Sequence, residues 1–471
     1  MLNNKKTISS FKWSAIEKLS VQIIQLGVML ILAKLLGPEA FSLIGMLSIF
    51  IAIAQVLTEG GVTNAIIRKE NRNKSDFTTA FYFNITTSIT CYFIIFFSSP
   101  YIALFYEQEK LELLIKIISL VVIINSFSII PKIKFSINLD FKNQARASLI
   151  SVFFSSILAI STSYLNFGVW ALVIQSISYS SINCILLNCY SKWYLNGLPS
   201  KESLSYLFKF GSKLIIVNIL DAVFNNIYQV VIGKSYPLKQ VGYYSQANTL
   251  AYTPSFSLTT IIIRVIFPLL SKEQNNKASF ISLYIKILEK TSLFLFPIIL
   301  SIGIIGFPFI SIVLGSQWEN TSILLLILAF SYITYPIYSI NTHTLQIKGY
   351  PGSFLKIEII RKILICILLL ITAPIGVTEI CIGIMIQSYI TLFISMIYIN
   401  KKIKVRFVIQ LKKIITPYLI TIICGVLSWW VSSFYDNNLI KIILYLTMFF
   451  LLYCLIIIII FKPKHLIPYM K

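Results

Sequence analysis

Polar side chains inside long apolar segments are where chemistry is to be sought, because hydrocarbon offers them neither water nor hydrogen bonds. Lys18, Gln22 and Gln25 recur with Ser14 at helical spacing on one face of the first such segment, with Glu17 at its edge. Asn218, Asp221, Asn225 and Gln229, spaced by three, four and four, form a second stripe. Glu59 precedes Gly60 and Gly61 near the inner end of the second segment, and Arg264 stands at comparable depth in the eighth. Amides, a carboxylate and long cations do non-covalent work. They hold hydroxyls and phosphates, and a Glu59–Arg264 pair would serve as a gate that opens when a phosphate competes for the guanidinium. The structural alternative is that the stripes only bond helices together and that Arg264 reaches lipid phosphate alone.

Covalent chemistry finds little support. Cys91, Cys184, Cys189, Cys366, Cys381, Cys424 and Cys454 all lie in apolar segments, and the one close pair, Cys184 and Cys189, lacks the second pair or histidine of a zinc site. His343 is the one histidine in an apolar segment and reads as a hydrogen-bonded packing residue before a proton relay. Lys213, Lys286, Lys290, Lys356, Arg361 and Lys362 fall within a few turns of the inner surface, where such charges meet anionic headgroups. No metal and no resident cofactor are expected, and coupling to an H+ or Na+ gradient is left open.

The elements that must position these groups are membrane helices. Of 471 residues 57% are hydrophobic and 12% charged, and the mean hydropathy is +0.83. A formal charge of +23 would suggest nucleic acid in a soluble chain. Here the lysines and arginines sit in short connections, where they set orientation, so nucleic acid is not an expected partner. Runs of about twenty apolar residues give roughly fourteen crossings and an all-α polytopic fold. Connections carrying Arg68, Lys69, Arg72 and Lys74, then Lys132, Lys134 and Lys142, then Lys401 to Arg406, alternate with connections bearing Glu39, Glu107, Glu379 and Asp436. That alternation places the basic side and both termini in the cytoplasm, with Lys110, Lys234 and Lys239 as exceptions. The polar-striped first helix does not resemble a cleaved leader.

The first two crossings join at Gly37-Pro38-Glu39, a helix stop followed at once by a proline that cannot donate to a continuing helix. The layout returns 200 residues later: LAKLLGPEAFSLIG at Leu32–Gly45 aligns with IGKSYPLKQVGYYSQ at Ile232–Gln246, Lys34 matching Lys234. An even number of crossings between the copies makes the repeat parallel. Residues 1–200 and 201–405 are therefore read as two six-helix halves, and 406–471 as a helix pair with a cytoplasmic tail.

The first hairpin with its GPE turn, and RVIFPLLSK at Arg264–Lys272, resemble the polysaccharide transporters of the multidrug/oligosaccharidyl-lipid/polysaccharide exporter superfamily. The Wzx-type O-antigen and capsule flippases, with the colanic and teichuronic acid branch, are the implied relatives. The resemblance implies a non-enzymatic flippase of the bacterial cytoplasmic membrane that carries undecaprenyl-pyrophosphate-linked oligosaccharide by alternating access around a polar, basic cavity. Lys18, Gln22, Gln25, Asn218, Asp221, Asn225, Gln229 and Arg264 would line that cavity. Membrane lipids, a polysaccharide polymerase and a chain-length regulator would be its partners. Three alternatives stand beside it: a cation-coupled drug antiporter, for which cavity acids are few; a lipid II flippase; and a membrane polymerase, which would need a large outward catalytic loop.

Overall fold

The structure, a computed structural model, describes residues 4–59 and 61–461, and among them there is helix but no strand. In the first part of the chain the helices are α1 (Asn4–Glu59), α2 (Val62–Arg68), α3 (Lys74–Tyr106), α4 (Lys110–Ile118), α5 (Leu120–Ser126), α6 (Ile129–Asn138), α7 (Phe141–Tyr164), α8 (Trp170–Ser191) and α9 (Lys201–Ser235). The remainder are α10 (Leu238–Lys272), α11 (Lys277–Ile304), α12 (Gly306–Val313), α13 (Asn320–Tyr332), α14 (Tyr335–Ile347), α15 (Pro351–Thr372), α16 (Val377–Ile403), α17 (Phe407–Ser433) and α18 (Asn438–Phe461).

Eleven described helices are long and apolar enough to cross a bilayer. The first of them, Leu19–Arg68, has 50 residues, about twice the length one crossing needs, so it counts as two. Gly37 divides it, with φ 73° and ψ 177°, a backbone that glycine adopts without strain. Lys110–Ser126 and Ile129–Asn138, bent by 42°, are together long and apolar enough for a broken span or a re-entrant loop. α15 has the 22 residues a crossing needs, but with Lys356, Glu358, Arg361 and Lys362 it stands outside these eleven. This all-α arrangement agrees with the expected fourteen crossings.

Two compact units divide the chain, Met1–Gly242 and Tyr243–Lys471. In the first, α7 buries Ala145, Ala147, Ser148, Ser151, Val152, Ser155 and Ala159, a run of mostly small side chains. Such a surface lets α1 and α8 approach closely, which is how helices associate where lipid is as apolar as leucine. The first unit also holds α9, one crossing beyond the repeat boundary at residue 200. The reason is local. Buried Asp76, near the start of α3, accepts from Lys69 Nζ at 2.7 Å, from the Asn73 amide at 2.8 Å and from Ser203 Oγ of α9 at 2.6 Å. The connection ahead of α9 is tied to the same turn: Ser75 and Thr78 donate to the carbonyls of Leu198 and Asn196, and the Ser200 amide donates to Thr79 Oγ1.

The second unit is organised on α11, whose Phe280, Tyr284, Leu288, Leu295 and Phe296 are buried against α14, α16 and α17. The Tyr284 hydroxyl lies 2.7 Å from Asn341 Oδ1 and 3.2 Å from Gln410 Oε1. Asn341 in turn donates to Ser395 at 2.9 Å, and Gln410 to the carbonyls of Met396 and Val405. This satisfied polar network fixes the register of α17. The terminal pair α17 and α18 docks on α11 through Lys413–Glu289 at 2.7 Å and a bond from the Tyr453 hydroxyl to the Leu293 carbonyl.

Candidate functional site

On α9, Asn225 is exposed, Asn218 and Asp221 are half-buried, and Gln229 is buried with its amide nitrogen lacking a hydrogen-bond partner among the described residues. Ile216, Val217 and Leu220 cover a different, exposed side of the same helix. The stripe thus runs from half-buried to exposed to buried along one side of the helix, away from those apolar residues. α9 touches α1 beside the stripe: Ser48 Oγ donates to Asn226 Oδ1 at 3.1 Å, and a Cβ on Gly233 would stand 3.0 Å from Met46. Asn226 escapes a reading by spacing because it lies one position off the face.

On α1, Gln22 is half-buried and Gln25 exposed. The Lys18 side chain lies outside the described residues. Glu17, at the edge of the stripe, accepts from Ser148 Oγ of α7 at 2.9 Å, beside Tyr179. That edge of the stripe thus bonds helix to helix, and Gln25 faces open space.

The expected gate residues divide between the two units, Glu59 in the first and Arg264 in the second. Glu59 carries an ion pair with Lys132 at 3.5 Å, and Arg264 is an exposed residue of the second unit. His343 Nδ1 is 2.8 Å from the Ser339 carbonyl and its ring meets Phe267 edge-on, the contacts of a packing residue.

The second unit contains a polar cluster that the sequence reading passed over. Glu358 on α15 accepts from the Tyr338 hydroxyl of α14 and from Arg361 Nη2 and Nε at 2.9 and 3.0 Å. The two charged side chains are only 16% and 23% exposed. Nearby, Tyr252 packs on Phe256, Tyr332 and Tyr335 with ring centroids 5.3, 5.2 and 6.1 Å apart, and the Tyr332 hydroxyl reaches Asn248 at 2.5 Å. A signal was present: opposite charges at i and i+3 inside a 22-residue membrane segment. By spacing alone Arg361 falls with the headgroup-facing lysines, and the Tyr338 contact to Glu358 becomes visible only once α14 is placed beside α15. Chemically, the cluster offers apolar ring faces, phenols, one carboxylate and one guanidinium, groups suited to hydroxyls, sugar-ring faces and charges. No group of three or more metal-ligating side chains occurs among the described residues.

These features define a multi-pass, all-helical membrane protein with polar and aromatic clusters among its helices. Residues 31–323 match the polysaccharide biosynthesis protein family, and the chain belongs to that family. Among curated relatives, the lipopolysaccharide biosynthesis protein WzxC of Escherichia coli is 27% identical over 325 residues, 67% of this chain and 65% of that protein. The teichuronic acid biosynthesis protein TuaB of Bacillus subtilis is 22% identical over 73% of this chain and 72% of its own length. An uncharacterized membrane protein of the cps region of Klebsiella pneumoniae is 24% identical over 66% of this chain and 65% of its length. The chain thus spans slightly under two thirds of two of these relatives. In fold it is similar to the inward closed lipid II flippase MurJ, with a TM-score of 0.75 and 15% identity over 96% of this chain and 99% of that one. An inward-facing multidrug MATE transporter aligns with a TM-score of 0.64 and 15% identity over 83% of this chain and 98% of its own.

Proposed function

We propose that the chain is a flippase of a bacterial cytoplasmic membrane that carries undecaprenyl-pyrophosphate-linked oligosaccharide units from the inner to the outer leaflet, with both termini cytoplasmic. The observation that carries this reading is the Glu358–Arg361 pair with Tyr338 and the Tyr252 ring cluster, placed inside membrane helices of a chain whose family serves polysaccharide synthesis. Sugar rings present C–H faces to aromatic rings and hydroxyls to charged groups, and such a site needs only a few placed polar residues. No bond is made or broken. The cargo is passed between two states of the two repeats, 1–200 and 201–405. The names of the relatives, which speak of lipopolysaccharide and teichuronic acid biosynthesis, favour this cargo over drugs. A fold shared with MurJ and MATE transporters does not choose among cargoes.

Gln22, Gln25, Asn218, Asp221, Asn225 and Gln229 are proposed to line the passage, with Lys18 beside them. Arg264 is proposed to catch the pyrophosphate through paired charge-assisted bonds that a lysine reproduces only in part. For the gate, Glu59 would exchange Lys132 for Arg264. The test is complementation of a strain lacking the gene, with inner-leaflet lipid-linked units and exported polymer both quantified. Arg264→Lys should retain partial export, and Arg264→Ala should accumulate units in the inner leaflet. Wild-type export by Arg264→Ala would refute the clamp. Arrest of wall synthesis in the deletion strain would instead indicate lipid II as cargo.

A further inference from the structure

A pocket of about 390 Å³ opens in the first unit where the ends of α6 and α8 meet the starts of α3 and α7. Its walls include Arg72, Phe77, Lys134, Asp140, Tyr190 and Ser191. Arg72 is held in place by its own bonds: Nε donates to the Ile66 carbonyl at 2.9 Å and Nη2 to the Ile67 carbonyl at 2.6 Å. Its Nη1 has no acceptor among the described residues. The Lys134 ammonium stands 5.8 Å from the Phe77 ring centroid, half-buried, with no ion pair among the described residues. The one lining carboxylate, Asp140, accepts from the Asn143 amide, whose Nδ2 lies 2.8 Å away, and leaves the lining with two cations to one anion. Two neighbouring lysines are already matched, Lys69 with Asp76 and Lys132 with Glu59. An immobilised guanidinium and an ammonium without an ion pair in one concavity, with Tyr190 on its wall, outnumber the single lining carboxylate and suit a phosphate oxygen cluster.

We propose that this pocket is a phosphate site at the basic end of the first unit, separate from the cargo clusters. Because it lies at helix ends, the level of lipid headgroups, the phosphate is that of an anionic phospholipid or of a small soluble phosphate. In either case occupancy would lock the α2–α3 connection against α6 and α8.

The test uses the full chain, purified and delipidated. In one arm its thermal midpoint is followed while inorganic phosphate is added. In the other, retained phosphatidylglycerol is counted by native mass spectrometry after reconstitution in mixed phosphatidylglycerol and phosphatidylcholine nanodiscs. Lys134→Met should weaken binding about tenfold, the size expected for one charge-assisted contact. It spares the Arg72 bonds that fold the connection, and its midpoint without ligand serves as the folding control. Lys192→Met, an exposed lysine outside the lining, should change neither arm. A response in the lipid arm alone assigns a headgroup, and a response to inorganic phosphate assigns a soluble ligand. Equal binding by wild type and Lys134→Met in both arms, or an equal loss in Lys192→Met, overturns the site.

Discussion

A Cβ placed on Gly61 would stand 2.8 Å from the Gly211 Cα and 2.9 Å from its carbonyl oxygen, so the backbone entering α2 lies directly on that of α9. Two glycines 150 positions apart permit a contact that no side chain could share. The reverse test is milder, since a Cβ on Gly211 meets Gly61 at 3.2 Å. Gly61→Ala should therefore cost more than Gly211→Ala, roughly 1–3 kcal/mol for the wedge, read as a lower melting midpoint of the purified protein. Equal midpoints for Gly61→Ala and wild type would mean that the two helices separate at little cost.

Lys234 Nζ lies 2.7 Å from Glu107 Oε1. Lys234 is one of the exceptions to the positive-inside alternation, and a paired lysine is a smaller exception than a bare one. The hydrogen bond from Lys234 holds the Glu107 carboxyl below its usual 4.5. The folded pKa is the lower one, so the contribution is present above about 4.5 and is lost as pH falls through the lowered value. Glu107→Gln should melt slightly below wild type at neutral pH and alongside it in acid. A gap that persists at the acid end would point to a different interaction.

Glu358→Gln removes the counter-charge of a half-buried guanidinium and should cost roughly 1–3 kcal/mol. Tyr338→Phe deletes one hydroxyl and should cost less. If the cluster holds cargo, both variants should lose export beyond what their protein levels explain. Export that simply tracks the amount of folded protein would make the cluster a helix lock.

Asn84 of α3 is fully buried, and neither amide atom has a hydrogen-bond partner among the described residues. Asn84→Leu removes that unmet demand at similar volume and should stabilise by about 1–3 kcal/mol. A gain in melting midpoint accompanied by a loss of export would show that the amide is kept for function. A loss in both would place a partner at the amide.

Much of the architecture follows from the sequence because a bilayer selects on two local properties, apolar length and hydrogen-bonding within the segment. Run lengths marked the crossings, and Gly37 beside Pro38 marked a break that the backbone angles bear out. Periodicity alone placed Asn218, Asp221 and Asn225 on one side of α9. Which helices pair is a different matter, since it rests on small surfaces and single hydrogen bonds between residues far apart in the chain. Asp76 and Ser203, 127 positions apart, help hold α9 in the first unit. Glu358 and Tyr338 meet only because α14 and α15 lie side by side, and Gly61 finds Gly211 only in the packed structure. Periodicity can say that a face is polar. What that face touches is decided by the shape of its neighbours.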